Sequence, residues 1–354
     1  MKRQTRPALR RPAPPPTPAR RQRGPAARGR SPQIEAQDVR LFSGSSHPEL
    51  AAGIAAYLGV PLDGTRIAHF SNDDLYIQLG ASVRSRVVFL VQSLTPPASD
   101  HVLELLMMLD AARGAAAREV HAIIPYFSYA RSDKKDAPRI SITARLIADL
   151  LETAGATHVM TMNLHSPQVH GFFRIPTAPL TARPLFVQHF RRRRLEATVV
   201  VAPDSGIAKS AARFAAQLGL PSVSAEKIRL SDTRVEIDPL VGRQVRGFRR
   251  ALVYDDEIAT GSTMLEVCRM LVQQGVEQIS LVCTHGLFTG DAVAKLASIR
   301  EIDEIVTTDT VPIAPEKRVK QLKVLSVAPI FGEAIRRNYC KESIGDLFAF
   351  GDGP

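Results

Sequence analysis

The sequence predicts an α/β fold of two domains with parallel central sheets, preceded by a disordered basic N-terminal tail. Three observations carry this expectation. Short apolar runs alternate with helical patterns from about Asp38 onward, the alternation occurs once before about Arg183 and again after it, and the excess positive charge is confined to one end. Strand-helix alternation argues for parallel sheets covered on both faces. A chain of 354 residues is long enough for two domains, each burying a core.

Taken in order, residues 87–91, 120–124, 158–162, 198–202, 251–254, 279–283, 305–307 and 324–327 read as buried strands. Residues 100–115, 142–153, 207–218 and 264–273 carry helical periodicity between them. The run of four arginines at 191–194 reads as solvated surface. Residues Met1–Gln33 hold ten basic and no acidic side chains, leaving 36 basic against 35 acidic in the rest. The tail is Pro/Arg/Ala-rich and lacks the apolar surface to fold alone. It can be a disordered extension, a polyanion-binding arm or an organelle-targeting peptide; its prolines oppose the last. No apolar run reaches ~20 residues, so no membrane span is expected. Cys268, Cys283 and Cys340 have neither metal-ligand nor disulfide-framework spacing, which suits reduced thiols in the cytoplasm.

In parallel α/β folds ligands bind at the carboxyl ends of strands, where loops enter helix N-termini. The most specific strand end is Ala251-Leu-Val-Tyr-Asp255-Asp256-Glu-Ile-Ala-Thr260-Gly261-Ser262-Thr263. Hydroxyls and successive N–H groups at a helix start suit a phosphate monoester. The paired acids just before suit ribose hydroxyls or a bridging metal. The plain alternative is an acidic turn with a helix cap.

Four other strand ends and one loop carry polar residues. Ile124-Pro-Tyr-Phe-Ser-Tyr-Ala-Arg131-Ser132-Asp133-Lys134-Lys135 offers aromatics and cations that can flank an adenine and its phosphates. Met160-Thr-Met-Asn163-Leu-His165-Ser-Pro-Gln168 puts a histidine where its ring nitrogen can meet a cation or a phosphate, although such a histidine is more often structural. Val199-Val-Val-Ala-Pro-Asp204-Ser-Gly206 places a carboxylate ahead of a helix, suited to magnesium or to an N-cap. Phe70-Ser-Asn72-Asp73-Asp74 is a polar turn. In Ala225-Glu-Lys227-Ile-Arg229 an extended backbone would turn both cations to one face, where they can meet the same phosphate chain. The polar residues after it suit a mobile lid.

Together these segments resemble the ribose-phosphate pyrophosphokinase family, from Leu41-Phe-Ser-Gly-Ser-Ser-His-Pro-Glu-Leu50 to Asp346-Leu-Phe348. The resemblance implies a tail (1–37), a phosphoribosyltransferase-like nucleotide domain (38–183), a second such domain with the ribose 5-phosphate loop (184–332), and a final segment (333–354) returning to the first domain. It implies transfer of the pyrophosphoryl group of ATP to the anomeric hydroxyl of ribose 5-phosphate, with Mg2+ as cofactor. Phe70, Asn72, Asp74, Arg131, Ser132 and His165 would then face ATP. Asp255, Asp256, Thr260, Gly261, Ser262 and Thr263 would hold ribose 5-phosphate, His165 and Asp204 the metal, and Lys227 and Arg229 the transferring group. A cytoplasmic homo-oligomer is implied, a dimer or hexamer with adenine sites completed across subunits. Nucleic acid is not expected as a partner except through the tail.

The chain departs from the family pattern at several of these positions. Asp73 stands for glycine and Asp74 for glutamate, Ser132 for glutamine, Asn163 for aspartate, Ala259 for the third acid of the sugar loop and Ser262 for its glycine. Glu257 is the carboxylate nearest to Ala259 that could take over its ribose contact. A catalytically weak regulatory paralogue and a phosphoribosyltransferase stay open as alternatives. Retention of Lys227 and Arg229 opposes the first, and the motifs of the first half oppose the second.

Overall fold

The computed structural model describes residues 34–225, 227–229, 235–237 and 239–348, of which 227–229, 235–237 and 239–241 are described by backbone alone. The expected basic tail and the side chains of Lys227 and Arg229 lie outside the described residues.

The first half runs β1 (Val39–Ser43), α1 (Pro48–Leu58), a hairpin of β2 (Thr65–His69) and β3 (Leu75–Leu79), β4 (Val87–Val91) and α2 (Ala98–Gly114). It continues through β5 (Glu119–Ile124), α3 (Thr143–Ala154), β6 (His158–Met162), β7 (Thr177–Leu180) and α4 (Arg183–Phe190). Strands β1-β4-β5-β6-β7 pair in that order, all parallel. Every side chain of β4 is buried, as a strand covered on both faces requires. In α3 the buried residues Ala144, Ile147, Ala148 and Leu151 follow the spacing of one helical face.

The second half runs β8 (Thr198–Ala202), α5 (Ala208–Leu218), β9 (Ser222–Ser224), a ribbon of β10 (Lys227–Arg229) and β11 (Val235–Ile237), and α6 (Pro239–Gln244). Then come β12 (Arg250–Ile258), α7 (Ser262–Gln273), β13 (Gln278–Gly286), α8 (Ala292–Ala297), β14 (Ile302–Thr308), β15 (Leu322–Leu325) and α9 (Ala328–Tyr339). Its sheet, ordered β15-β14-β13-β12-β8-β9, is again wholly parallel. The α/β expectation with two parallel sheets holds.

Three differences from the sequence reading matter. The strand expected to stop at Tyr254 continues to Ile258, because its ladder with β13 extends through Asp255–Cys283 and Glu257–His285. The paired acids therefore sit on a strand. The last strand lies at Leu322–Leu325 because Val327, expected within it, instead caps α9. The halves also share a middle core: Leu41, Phe89 and Met160 of the first sheet join Leu252, Tyr254 and Val306 of the second in one cluster. The outer faces keep separate clusters. Helix α9 adds Phe331 and Ile335 to the shared core beside Leu50 and Ile54 of α1, and Thr181 donates its N–H to the Leu347 carbonyl at 3.1 Å.

Candidate active site

The order of the second sheet locates the crevice. From β8 the chain steps outward to β9, whereas from β12 it builds the other way through β13, β14 and β15. Loops leaving adjacent strands at such a reversal part from one another and open a cleft. A cleft of about 270 Å3 lies here, lined by Arg131 and His165 from the first half and by Asp204, Asp255, Asp256, Glu257 and residues 258–264 from the second. A cavity of about 400 Å3 at the opposite, amino-terminal ends of the second sheet, beside Arg193, Arg194 and Arg250, contains none of the expected site residues.

The turn after β12 has the form its residues suggest. Gly261 has φ of 75°, a left-handed angle for which glycine is suited, and α7 starts at the next residue. Gly261 at the N-cap offers no side-chain cap, the Ser262 N–H reaches Thr260 Oγ1 at 3.5 Å, and the positive end of the helix there suits an anion. Thr260 Oγ1 and Ser262 Oγ are 3.1 Å apart. The left-handed angle falls at Gly261, and Ser262, where the family pattern has glycine, is the first helical residue.

The acids are graded by their surroundings. Asp256 Oδ2 accepts from His165 Nδ1 at 2.6 Å, and the Asp256 N–H donates to Asp255 Oδ1 at 2.8 Å. Burial and then the adjacent Asp256 charge push the Asp255 carboxyl well above its ordinary value. Burial alone would raise Asp256 too, but the hydrogen bonds from His165 and Asp255 outweigh it and hold Asp256 low. The bond to Asp256 in turn raises His165 against the opposing effect of burial. Within the pair, burial thus prevails at Asp255, and Asp256 is the carboxylate facing the imidazole. Asp256, expected on the sugar beside Asp255, directs its carboxylate to His165. Asp204 accepts through Oδ1 from the N–H groups of Gly206 (2.9 Å) and Ile207 (3.3 Å), so it caps the turn into α5 while lining the cleft.

From the first half, Arg131 Nη2 lies 3.3 Å from Glu257 Oε1, and Tyr126 Oη donates to Glu257 Oε2 at 3.2 Å. His285 is fully internal; its Nε2 donates to the carbonyls of Met162 (3.1 Å) and Asn163 (3.2 Å), and its Nδ1 accepts from Thr310 Oγ1. It ties β13 to the turn that carries His165. Asn163, which replaces an acid of the family pattern, accepts from the Ala182 N–H at 2.8 Å. His285 is the residue that sequence reasoning left without a role, and Glu257 and Tyr126, expected near the sugar and the adenine, pair with each other. Their signal, in hindsight, is a charged or aromatic polar group continuing an apolar strand.

Ser132 and the 70–74 turn do not line this cleft. The Ser132 hydroxyl donates to the Ser141 carbonyl and accepts from the Thr143 N–H, each at 3.2 Å, closing the loop ahead of α3. The 70–74 turn caps the β2-β3 hairpin. There Phe70 is 58% exposed, Asn72 Nδ2 donates to Asp74 Oδ2 at 2.5 Å, and Asp73 has φ of 68° where the family pattern has glycine. Lys227 and Arg229 lie two apart on strand β10, an extended backbone.

A doubly wound α/β protein with a phosphate-type helix N-terminus and clustered acids at its switch point belongs to the class that binds sugar phosphates and nucleotides. Residues 39–155 match the N-terminal domain of ribose phosphate pyrophosphokinase, and residues 235–349 the phosphoribosyl synthetase-associated domain. A Streptomyces coelicolor protein provisionally named ribose-phosphate pyrophosphokinase is 50% identical over 312 residues, 88% of this chain and 98% of its own. The ribose-phosphate pyrophosphokinase of Wolinella succinogenes is 41% identical over 87% of this chain and 98% of its own. The crystal structure of phosphoribosylpyrophosphate synthetase from Mycobacterium smegmatis superposes with a TM-score of 0.80 at 34% identity, covering 86% of this chain and 99% of that one. The chain belongs to the ribose-phosphate pyrophosphokinase family.

Proposed function

We propose that the chain transfers the pyrophosphoryl group of ATP to the anomeric hydroxyl of ribose 5-phosphate, giving 5-phosphoribosyl 1-pyrophosphate and AMP. The observation that carries this is the meeting, in one cleft, of the α7 phosphate turn with Asp204 and Asp255 from the second half and with Arg131 and His165 from the first. Ribose 5-phosphate sits with its phosphate against Thr260, Gly261, Ser262 and Thr263 and its hydroxyls toward Asp255, while Asp256 holds the His165 ring. Its anomeric oxygen attacks the β-phosphorus in line, and the bond to the bridging oxygen of AMP breaks. The protein's task is to align both reactants and balance charge on the phosphoryl oxygens. Arg131 and His165 take the ATP side, and Lys227 and Arg229 stabilise the transferring group.

The acids fit Mg2+. Asp204, Asp255 and Asp256 line the cleft together, and hard oxygen donors are what this ion takes. Asp204 and His165 would hold it with phosphate oxygens, where it would screen the triphosphate charge. In this reading residues 38–183 form the nucleotide domain and 184–332 the sugar domain, with 333–354 returning to the first. The exposed 70–74 turn, with Phe70, Asn72 and Asp74, completes the adenine site of a neighbouring copy, and Ser132 supports the ATP loop. Cys268, Cys283 and Cys340 form no disulfide, which suits a cytoplasmic enzyme. No helix among the described residues is long and apolar enough to cross a membrane.

The test is AMP release from ATP in magnesium buffer, with and without ribose 5-phosphate. Strict dependence on the sugar phosphate supports the reading. Folded protein that binds ribose 5-phosphate yet forms no AMP overturns it.

A further inference from the structure

We infer that Glu257 is a positioning residue for ATP: it holds the Arg131 guanidinium at the joint between the two halves and does not hold the sugar. This rests on the assignment of Arg131 to the ATP side given above.

Ala259 leaves the sugar loop one acid short, and Glu257 is the nearest carboxylate in sequence. The structure gives that carboxylate another occupation. Its side chain is only 8% exposed, Oε2 accepts from Tyr126 Oη at 3.2 Å, and Oε1 lies 3.3 Å from Arg131 Nη2. Both partners belong to the loop after β5 in the first half. On β12, Glu257 stands opposite His285 of β13, and the Tyr126 ring meets the His285 ring edge-on at 5.0 Å. A carboxylate with both oxygens engaged and little solvent would have to give up its Tyr126 and Arg131 contacts to reach a sugar hydroxyl, which is unfavourable.

Arg131 is different. Its side chain is 58% exposed and lines both the main cleft and a small chamber of about 70 Å3 behind it. A guanidinium carries five N–H donors in a planar fork, and the ion pair with Glu257 uses one edge. The remaining donors can meet phosphate oxygens. Tethering one edge removes part of the rotamer freedom that an exposed arginine would otherwise lose on binding. Glu257 thereby sets both the direction and the readiness of the cation that meets the nucleotide.

The experiment combines Glu257→Gln, Glu257→Ala and Tyr126→Phe with an Arg131→Ala background, read by steady-state AMP release. Glu257→Ala is expected to raise KM for ATP about tenfold, the scale of one charge-assisted contact, with KM for ribose 5-phosphate changed less than about twofold. Glu257→Gln and Tyr126→Phe, which preserve volume and folding, shift KM for ATP in the same direction by less. In the Arg131→Ala background Glu257→Ala adds nothing further, since the coupling partner is gone. A rise in KM for ribose 5-phosphate, or an equal effect in the Arg131→Ala background, overturns the inference. Calorimetric titration with ATP alone reads the same coupling even if no transfer occurs, so failure of the transfer reading is separately visible. Equal ATP affinity with and without Glu257 overturns the inference in that arm.

Discussion

Replacing Asp256 by Asn keeps the shape of the side chain and removes the charge that faces His165. The contact is short, 2.6 Å between His165 Nδ1 and Asp256 Oδ2, and the Asp256 side chain is 9% exposed. A hydrogen bond to a charged partner contributes about 1.5–3 kcal/mol. The imidazole is 43% exposed, and solvent screening puts this pair at the low end, about 1.5 kcal/mol. That corresponds to about tenfold in an equilibrium constant. Because Asp256 orients a proposed metal-binding histidine, the loss should fall on the metal: carboxylates that fix such rings typically contribute about 10–100-fold to metal affinity or activity. The assay is AMP release against Mg2+ concentration at saturating substrates, beside an NMR titration of the His165 ring. The half-saturating Mg2+ should rise about tenfold, and the imidazole pKa should fall, since the bond to Asp256 is what raises it. An unchanged Mg2+ dependence with a rise only in KM for ribose 5-phosphate would refute the reasoning and return Asp256 to the sugar. An unchanged His165 titration would refute the pairing itself.

Gly261→Ala forces a side chain onto φ of 75° and brings its Cβ to 3.3 Å from Leu296 Cδ1. A stability loss of about 1–2 kcal/mol in urea unfolding is expected, together with weaker ribose 5-phosphate binding by calorimetry. Asp73→Gly should have the opposite sign, relieving a left-handed residue at φ of 68° and stabilising the fold by up to about 1 kcal/mol; a lowered melting temperature would contradict it. Burial holds His285 down to about 4, and burial with the neighbouring His158 holds His121 down to about 4, both from an ordinary 6.5. The unfolded chain takes up these protons first as pH falls. Their contribution is therefore fully present above pH 6.5 and lost toward pH 4, at most about 3 kcal/mol each. Urea midpoints should drop between pH 7 and 5, and neither ring should titrate above pH 5; protonation of either ring near 6.5 would show the burial to be wrong.

The parts of this protein that sequence alone determined are those in which neighbours along the chain decide the outcome. The apolar run at 87–91 became a strand with every residue buried, and the periodicity at 264–273 became the body of α7. The Thr260-to-Thr263 turn was legible for the same reason, since glycine, hydroxyls and a following helix act within a single turn. The position of its glycine was explained only by the backbone, which is left-handed at 261 and helical at 262. Tertiary structure decided the extent of β12. Asp256 and Glu257 look like loop residues until the ladder of β12 with β13 and the partners His165 and Arg131 compensate for carrying charge on a strand. It also decided what each acid does, giving Asp256 to a histidine, Glu257 to an arginine and a tyrosine, and Asp204 in part to its own helix. Periodicity and turn chemistry reach over a few residues, so they locate strands and phosphate turns. The role of a buried charge is set by which distant side chain the returning backbone places within about 3 Å of it, and local pattern does not contain that distance.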